Sequence, residues 1–206
     1  GGYKAINGWS RATGDGGVAY SSSVLPSVAA NVLGAFSAKH PVTGHTIDFL
    51  GDTSSVYSVA FTGAVTAWDG SAPTLTAPAA SGFREFAQYG EYILVAGGHD
   101  TGSSIAYYAL GTLNAWTDVT TSTAFIRAKT ITTMRDFVVC GNLREAGGTG
   151  DYYPFRVRWS AFANPINWVE SVSTQSDFQD LRTEFGPVQR VVGGNETFVV
   201  CQNGVA

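Results

Sequence analysis

Three twelve-residue segments of the chain each open on an apolar run and close on a tryptophan. They are Tyr57-Ser-Val-Ala-Phe-Thr-Gly-Ala-Val-Thr-Ala-Trp68, Ile105-Ala-Tyr-Tyr-Ala-Leu-Gly-Thr-Leu-Asn-Ala-Trp116 and Val157-Arg-Trp-Ser-Ala-Phe-Ala-Asn-Pro-Ile-Asn-Trp168. The tryptophans recur at intervals of 48 and then 52 residues. Each segment reads as a strand, a turn carrying Gly or Asn-Pro, and a Trp that re-enters the apolar interior. A repeat of that length built from short strands is the sequence signature of β-propeller blades.

The strand before each unit repeats as well. Tyr92-Ile-Leu-Val-Ala-Gly97 precedes the second unit, Phe137-Val-Val-Cys-Gly141 the third, and Phe198-Val-Val-Cys201 opens a fourth that the chain does not finish. Each of these follows a further strand and a polar turn: Phe86 to Tyr89, Lys129 to Thr132, and Gln189 to Val192. The other apolar runs, Ile47 to Leu50 among them, have strand length and turn punctuation. A single stretch, Asp177 to Phe185, has the composition for a short helix.

The expected fold is therefore all-β: propeller-like repeats of three- to four-stranded antiparallel blades at a period of about 48 to 52 residues, complete or incomplete. Residues 1–206 form one such domain or part of one, with blades near 1–70, 83–118, 125–170 and an unfinished 187–206. Trp68, Trp116 and Trp168 are expected in equivalent buried positions of consecutive blades.

Asp52 lies five residues before Tyr57 and Asp100 five before Ile105, in matching polar loops where a carboxylate can cap its own turn. In the third module the corresponding loop swells to Asn142–Asp151, which is Gly-rich and reads as exposed surface loop.

Composition excludes several classes. The chain is 44% hydrophobic, 13% aromatic and only 14% charged, which argues against disorder. No run of 18 consecutive apolar residues exists, so no membrane-inserted helix is expected. Twelve Lys plus Arg against sixteen Asp plus Glu give a net charge of -4, and the cations are scattered singly. Nucleic acid gripped through its phosphates needs clustered cations, so that mode is disfavoured. The beginning and end of the sequence suggest a piece of a longer protein.

No chemistry-bearing constellation emerges. His40 and His45 lie close together without a third metal ligand, and Cys140 and Cys201 lack the spacing of a zinc site. The cysteines sit at matching places in similar strands, so they are expected as free buried thiols in two repeats. His99, Asp100 and Ser103 or Ser104 are too close along one turn to line up as base, orienter and nucleophile. Gly147-Gly-Thr-Gly150 lacks the Lys and the following helix of a phosphate loop. The carboxylate pairs Glu85 with Glu91 and Asp177 with Asp180 read as turn or surface residues. The expectation is a protein that is not an enzyme, with no catalytic residues, metal or cofactor, and with Trp68, Trp116, Trp168, Asp52 and Asp100 as structural repeat positions.

Two resemblances add to this reading. Asp100-Thr-Gly-Ser-Ser104-Ile105 resembles the Asp-box turn of sialidase-like propellers. With the tryptophans, it supports an alternative function as a carbohydrate-binding or glycan-hydrolysing propeller; a generic repeat-based interaction module is a third reading. More specifically, Arg156-Val-Arg-Trp-Ser160 followed by Asn164-Pro-Ile-Asn-Trp168 resembles a strand-turn signature of the tail nozzle, or packaged-DNA-stabilising hub, proteins of short-tailed bacteriophages. Gln175-Ser-Asp-Phe-Gln-Asp180, Gly186-Pro-Val-Gln189, Gln202-Asn-Gly-Val205 and the opening Gly1-Gly-Tyr-Lys-Ala-Ile-Asn-Gly-Trp9 are similar to the same family, which carries Asp where this chain has Ala161. The resemblance implies a virion tail protein, working as a homo-oligomeric ring of six copies below the portal and adaptor. Its partners would be those and other tail proteins, with DNA passing through the lumen without sequence-specific binding.

Overall fold

The computed structural model describes residues 32–42, 44, 46–52, 56–59, 65–67, 83–97, 104–110, 116–119, 126–145 and 151–206. It is all-β, with several antiparallel sheets, none of them closed. Three are four-stranded and in sequence order. The first holds β1 (Gly34–Lys39), β2 (Thr46–Gly51), β3 (Val56–Val59) and β4 (Val65–Ala67). The second holds β5 (Glu85–Tyr89), β6 (Tyr92–Ala96), β7 (Ala106–Ala109) and β8 (Thr117–Asp118). The third holds β9 (Ile126–Met134), β10 (Phe137–Glu145), β11 (Asp151–Trp159) and β12 (Asp177–Asp180). A two-stranded sheet of β13 (Val188–Val192) and β14 (Phe198–Cys201) follows.

Alternation along the second strand of each sheet explains how the sheets stack, because successive side chains on a strand point to opposite faces. Ile93 and Val95 of β6 join Ala38, Phe49 and Val56 of the first sheet in one apolar layer. Leu94 and Ala96, one step out of phase, join Ile131, Val138, Cys140 and Leu143 of the third sheet in a second layer. Val139 of β10 then joins Val188, Val191, Val199 and Cys201 in a third. Both cysteines are buried and free. They occupy the last position of the same four-residue pattern, each in the layer shared with the preceding sheet.

The first strand of each sheet lies beside the first strand of the next. An unpaired strand edge needs partners for its N–H groups, and side chains from the neighbouring sheet supply them. Gln88 Oε1 accepts from Lys39 N at 3.2 Å, while its Nε2 donates to Lys39 O at 2.7 Å. Glu85 Oε2 accepts from Ile131 N at 3.0 Å. Thr130 and Thr132 hydroxyls each accept, at 3.1 Å, from Val191 N and Gly193 N. The approach is close: a Cβ on Gly193 would overlap the Thr133 carbonyl oxygen, and one on Gly34 the Arg84 carbonyl oxygen.

Two sequence expectations are corrected in the third sheet. Asn142–Glu145 is not loop: β10 runs to Glu145 and β11 resumes at Asp151. Asn142 reads as loop because it occupies a bulge, with φ 58° and a register shift between Gly141 and Leu143. Pro154, without an N–H, sits opposite this irregular stretch. Nor is Asp177–Phe185 a helix: Asp177–Asp180 pairs with β11 as an edge strand, and Thr183–Phe185 is one 3-10 turn. The third sheet thus extends beyond residue 170, with Trp168 lying before its last strand. No helix among the described residues is long and apolar enough to cross a membrane, which leaves strand barrels unaddressed.

Candidate functional site

The expected repeat positions fall as follows. Trp116 is 2% exposed in the layer between the first and second sheets, edge-on to Phe49 at 5.9 Å between ring centroids. Trp168 is fully buried in the layer between the second and third sheets, and its Nε1 donates to Pro165 O at 2.9 Å. Each therefore fills the space between its own sheet and the preceding one. Trp68 and Asp100 lie outside the described residues, as do His45, His99, Ser103 and the Gly147–Gly150 loop. Asp52 is fully buried beside Arg84, whose Nε donates to the Asp52 carbonyl oxygen, joining the first and second sheets. Burial pushes Arg84 down to about 10, against the opposing pull of the Asp52 charge.

The residues that carry the family resemblance are densely bonded among the described residues. Arg156 and Arg158, two apart on β11, point to one face of the third sheet. Opposite them in register stand Asp180 and Phe178 of β12. Arg156 bonds both oxygens of Asp180, at 2.7 and 2.8 Å, and stacks between the rings of Tyr153 and Phe178 at 3.8 and 3.7 Å. The Arg156 hydrogen bond holds the Asp180 carboxyl below its ordinary value. Arg158, 3% exposed, reaches Glu170 at 2.8 Å, Glu145 at 3.2 Å and the Trp168 carbonyl oxygen at 2.8 Å.

The Asn-Pro turn is built by the same logic. Asn164 Oδ1 accepts from Ile166 N at 3.3 Å and Asn167 Oδ1 from Val169 N at 3.0 Å, the local capping typical of asparagine in turns. Ala161 N donates to Asn167 O at 2.7 Å, closing the turn. Ser160 Oγ accepts from Val138 N at 3.0 Å. Ala161 is 4% exposed, so a charged side chain there would be buried in this chain.

The carboxylate pairs singled out in the sequence are not brought together. Asp177 and Asp180 stand three apart on a strand and point to opposite faces. Glu85 opens β5 and Glu91 lies in the turn that follows it, so the length of the strand, roughly 13 Å of backbone, separates them, beyond the spacing of a glycosidase pair. His40 Nδ1 accepts from Val42 N within its own turn. Among the described residues no group of three His, Cys, Asp or Glu could hold a metal. Burial pushes the Cys140 thiol far above its ordinary range, which disfavours a nucleophilic thiolate.

The first strands converge on an open cleft of about 600 Å3, lined by Phe36, Arg84, Glu85, Thr132, Arg190 and Gly193 among others. Across it Arg190 Nε meets Glu85 Oε1 at 3.1 Å, tying the two-stranded sheet to the second sheet. Sequence reasoning missed this role of Glu85, since the partner lies 105 residues away. Fold and site together define an all-β scaffold of stacked antiparallel sheets. No protein-family model matches the chain, and no curated protein matches it.

Proposed function

We propose that this chain is a structural subunit of a tailed-bacteriophage virion, a tail nozzle or hub component that extends the DNA channel below the portal and adaptor. On this reading its repeats are propeller blades, and its stacked sheets and adjoining first strands surround a common axis. The observation that carries the proposal is how the resemblance residues are used. Arg156, Arg158, Ser160, Asn164, Asn167 and Trp168 are all engaged in holding the third sheet and its turn together. Such use suits a wall, in which polar side chains fix geometry. The low cation content suits a wall along which DNA slides. Six copies in a ring, contacting portal, adaptor and other tail proteins, is the assembly the resemblance implies.

The test is gold-labelled antibody against this chain on purified particles. Label concentrated at the tail vertex is the expected result. Label elsewhere on the particle, or particles free of label, overturns the proposal.

A further inference from the structure

At the end of β11 a groove of about 450 Å3 opens on the surface, lined by Trp159, Glu170, Val172, Gln175 and Asp177 among others. Trp159 closes β11 half-buried, and Asp177 of β12 is its cross-strand partner. Residues paired in this way project to one face with Cβ atoms about 5 Å apart, which sets a carboxylate alongside the indole. Trp159 Nε1 donates to Gln175 O at 2.7 Å, and Ser176 Oγ donates to Trp159 O at 2.9 Å. The polar edge of the indole is thereby engaged, so what it offers the groove is apolar ring surface.

The rest of the wall is a loop stiffened by its own hydrogen bonds. Thr174 Oγ1 donates to Val169 O at 2.6 Å, Thr174 N to Ser171 Oγ at 3.1 Å, and Gln175 N to Ser171 O at 2.9 Å. Gln175 sits at φ 58°, a left-handed conformation that glycine takes at lower cost. Its backbone N–H and carbonyl both serve the scaffold, yet its side-chain amide has no partner among the described residues. Glycine would build this turn as well or better, so the amide answers to something outside the turn. Asp177 is in a similar position: Oδ1 accepts from Phe178 N at 2.8 Å, and Oδ2 has no partner among the described residues.

We propose that this groove binds one pyranose ring of a neutral saccharide, with a C–H face of the sugar on the Trp159 indole and its hydroxyls on the Gln175 amide and the Asp177 carboxylate. An apolar ring wall with a few fixed polar groups is the usual composition of a small-ligand site, and the electron-rich indole face suits the polarised C–H groups of a sugar. A quaternary ammonium would also suit an aromatic face beside a carboxylate. The Gln175 amide, however, donates as well as accepts, which matches hydroxyls and not a cation. Glu170 is already neutralised by Arg158 at 2.8 Å, so one unpaired charge faces the groove, too few for a cation cage. The stiff loop and the bonded indole need no reordering on binding. The inference goes beyond the virion reading and does not depend on it.

Saturation-transfer NMR on the full chain decides it, with trisaccharides of glucose, galactose, mannose and N-acetylglucosamine as probes and tetramethylammonium as the competing class. At least one trisaccharide is expected to receive saturation at its ring protons and to titrate with millimolar affinity or tighter. Gln175→Gly and Asp177→Ala should each weaken that affinity about five-fold or more, the loss of one hydrogen bond. Gln175→Gly should do so with Tm unchanged or raised, which separates a binding role from a structural one. No sugar bound, an affinity indifferent to either substitution, binding of tetramethylammonium and not of sugars, or a lowered Tm for Gln175→Gly each overturn the proposal.

Discussion

Replacing Trp168 with Ala tests whether the sheets stack through shared apolar layers. The side chain is fully buried between the second and third sheets and donates one hydrogen bond to Pro165 O. Truncating a buried Trp costs about 3–5 kcal/mol, and the lost hydrogen bond adds about 1 kcal/mol. For a chain of this length each kcal/mol lowers Tm by roughly 2–4 °C, so the expected fall is about 8–24 °C. Urea unfolding should show a reduced midpoint at unchanged slope. Leu94→Ala, on the facing sheet but in the same layer, should couple to Trp168→Ala by about 0.5 kcal/mol or more in a double-mutant cycle. A loss below about 1.5 kcal/mol from Trp168→Ala, or strict additivity with Leu94→Ala, would refute the shared layer.

Arg135 turns the β9–β10 hairpin at φ 48°, where Gly90 holds φ 58° in the β5–β6 hairpin, so Arg135→Gly should raise stability by about 0.5–1 kcal/mol in chemical denaturation. The Asp180 carboxyl is held low in the folded state. Its stabilising share is therefore complete above about pH 4 and is lost as pH falls through the lower folded value. Because its side chain is 53% exposed, Asp180→Asn should remove less than about 1 kcal/mol of that acid dependence; a wider or opposite pH effect would contradict the assignment. Cys140 should resist a thiol reagent at pH 8 until urea unfolds the chain, and rapid native labelling of Cys140 would contradict its burial. Gly193→Ala should destabilise strongly by forcing β13 away from the Thr133 carbonyl, while a neutral outcome would show that the first strands do not approach so closely.

Strands with an apolar run and a flanking turn were legible: β6, β10 and β14 begin where Tyr92, Phe137 and Phe198 place them. β1, whose sequence is Gly-Ala-Phe-Ser-Ala-Lys, was not, because a strand with small residues and one aromatic carries little periodic signal. β12 was read as helix-like because Asp-Phe-Gln-Asp takes its strand form from pairing with β11, a tertiary effect. The Arg156 and Arg158 network was visible as a motif but not as ion pairs, since Glu145, Glu170 and Asp180 come from separate turns of the chain. The bond from Arg84 to the Asp52 carbonyl oxygen, which joins two sheets, was likewise not visible in the sequence. Polar contacts between modules leave no local pattern for a sequence to display.

The most direct test of the account is an experimental density map of the chain that resolves its side chains. It should place Cys140 and Cys201 in successive inter-sheet layers, Trp116 and Trp168 each against the preceding sheet, and Glu85 between Ile131 and Arg190 where the first strands converge. Sheets that share no apolar layer, or first strands lying apart with Glu85 in open solvent, would contradict it.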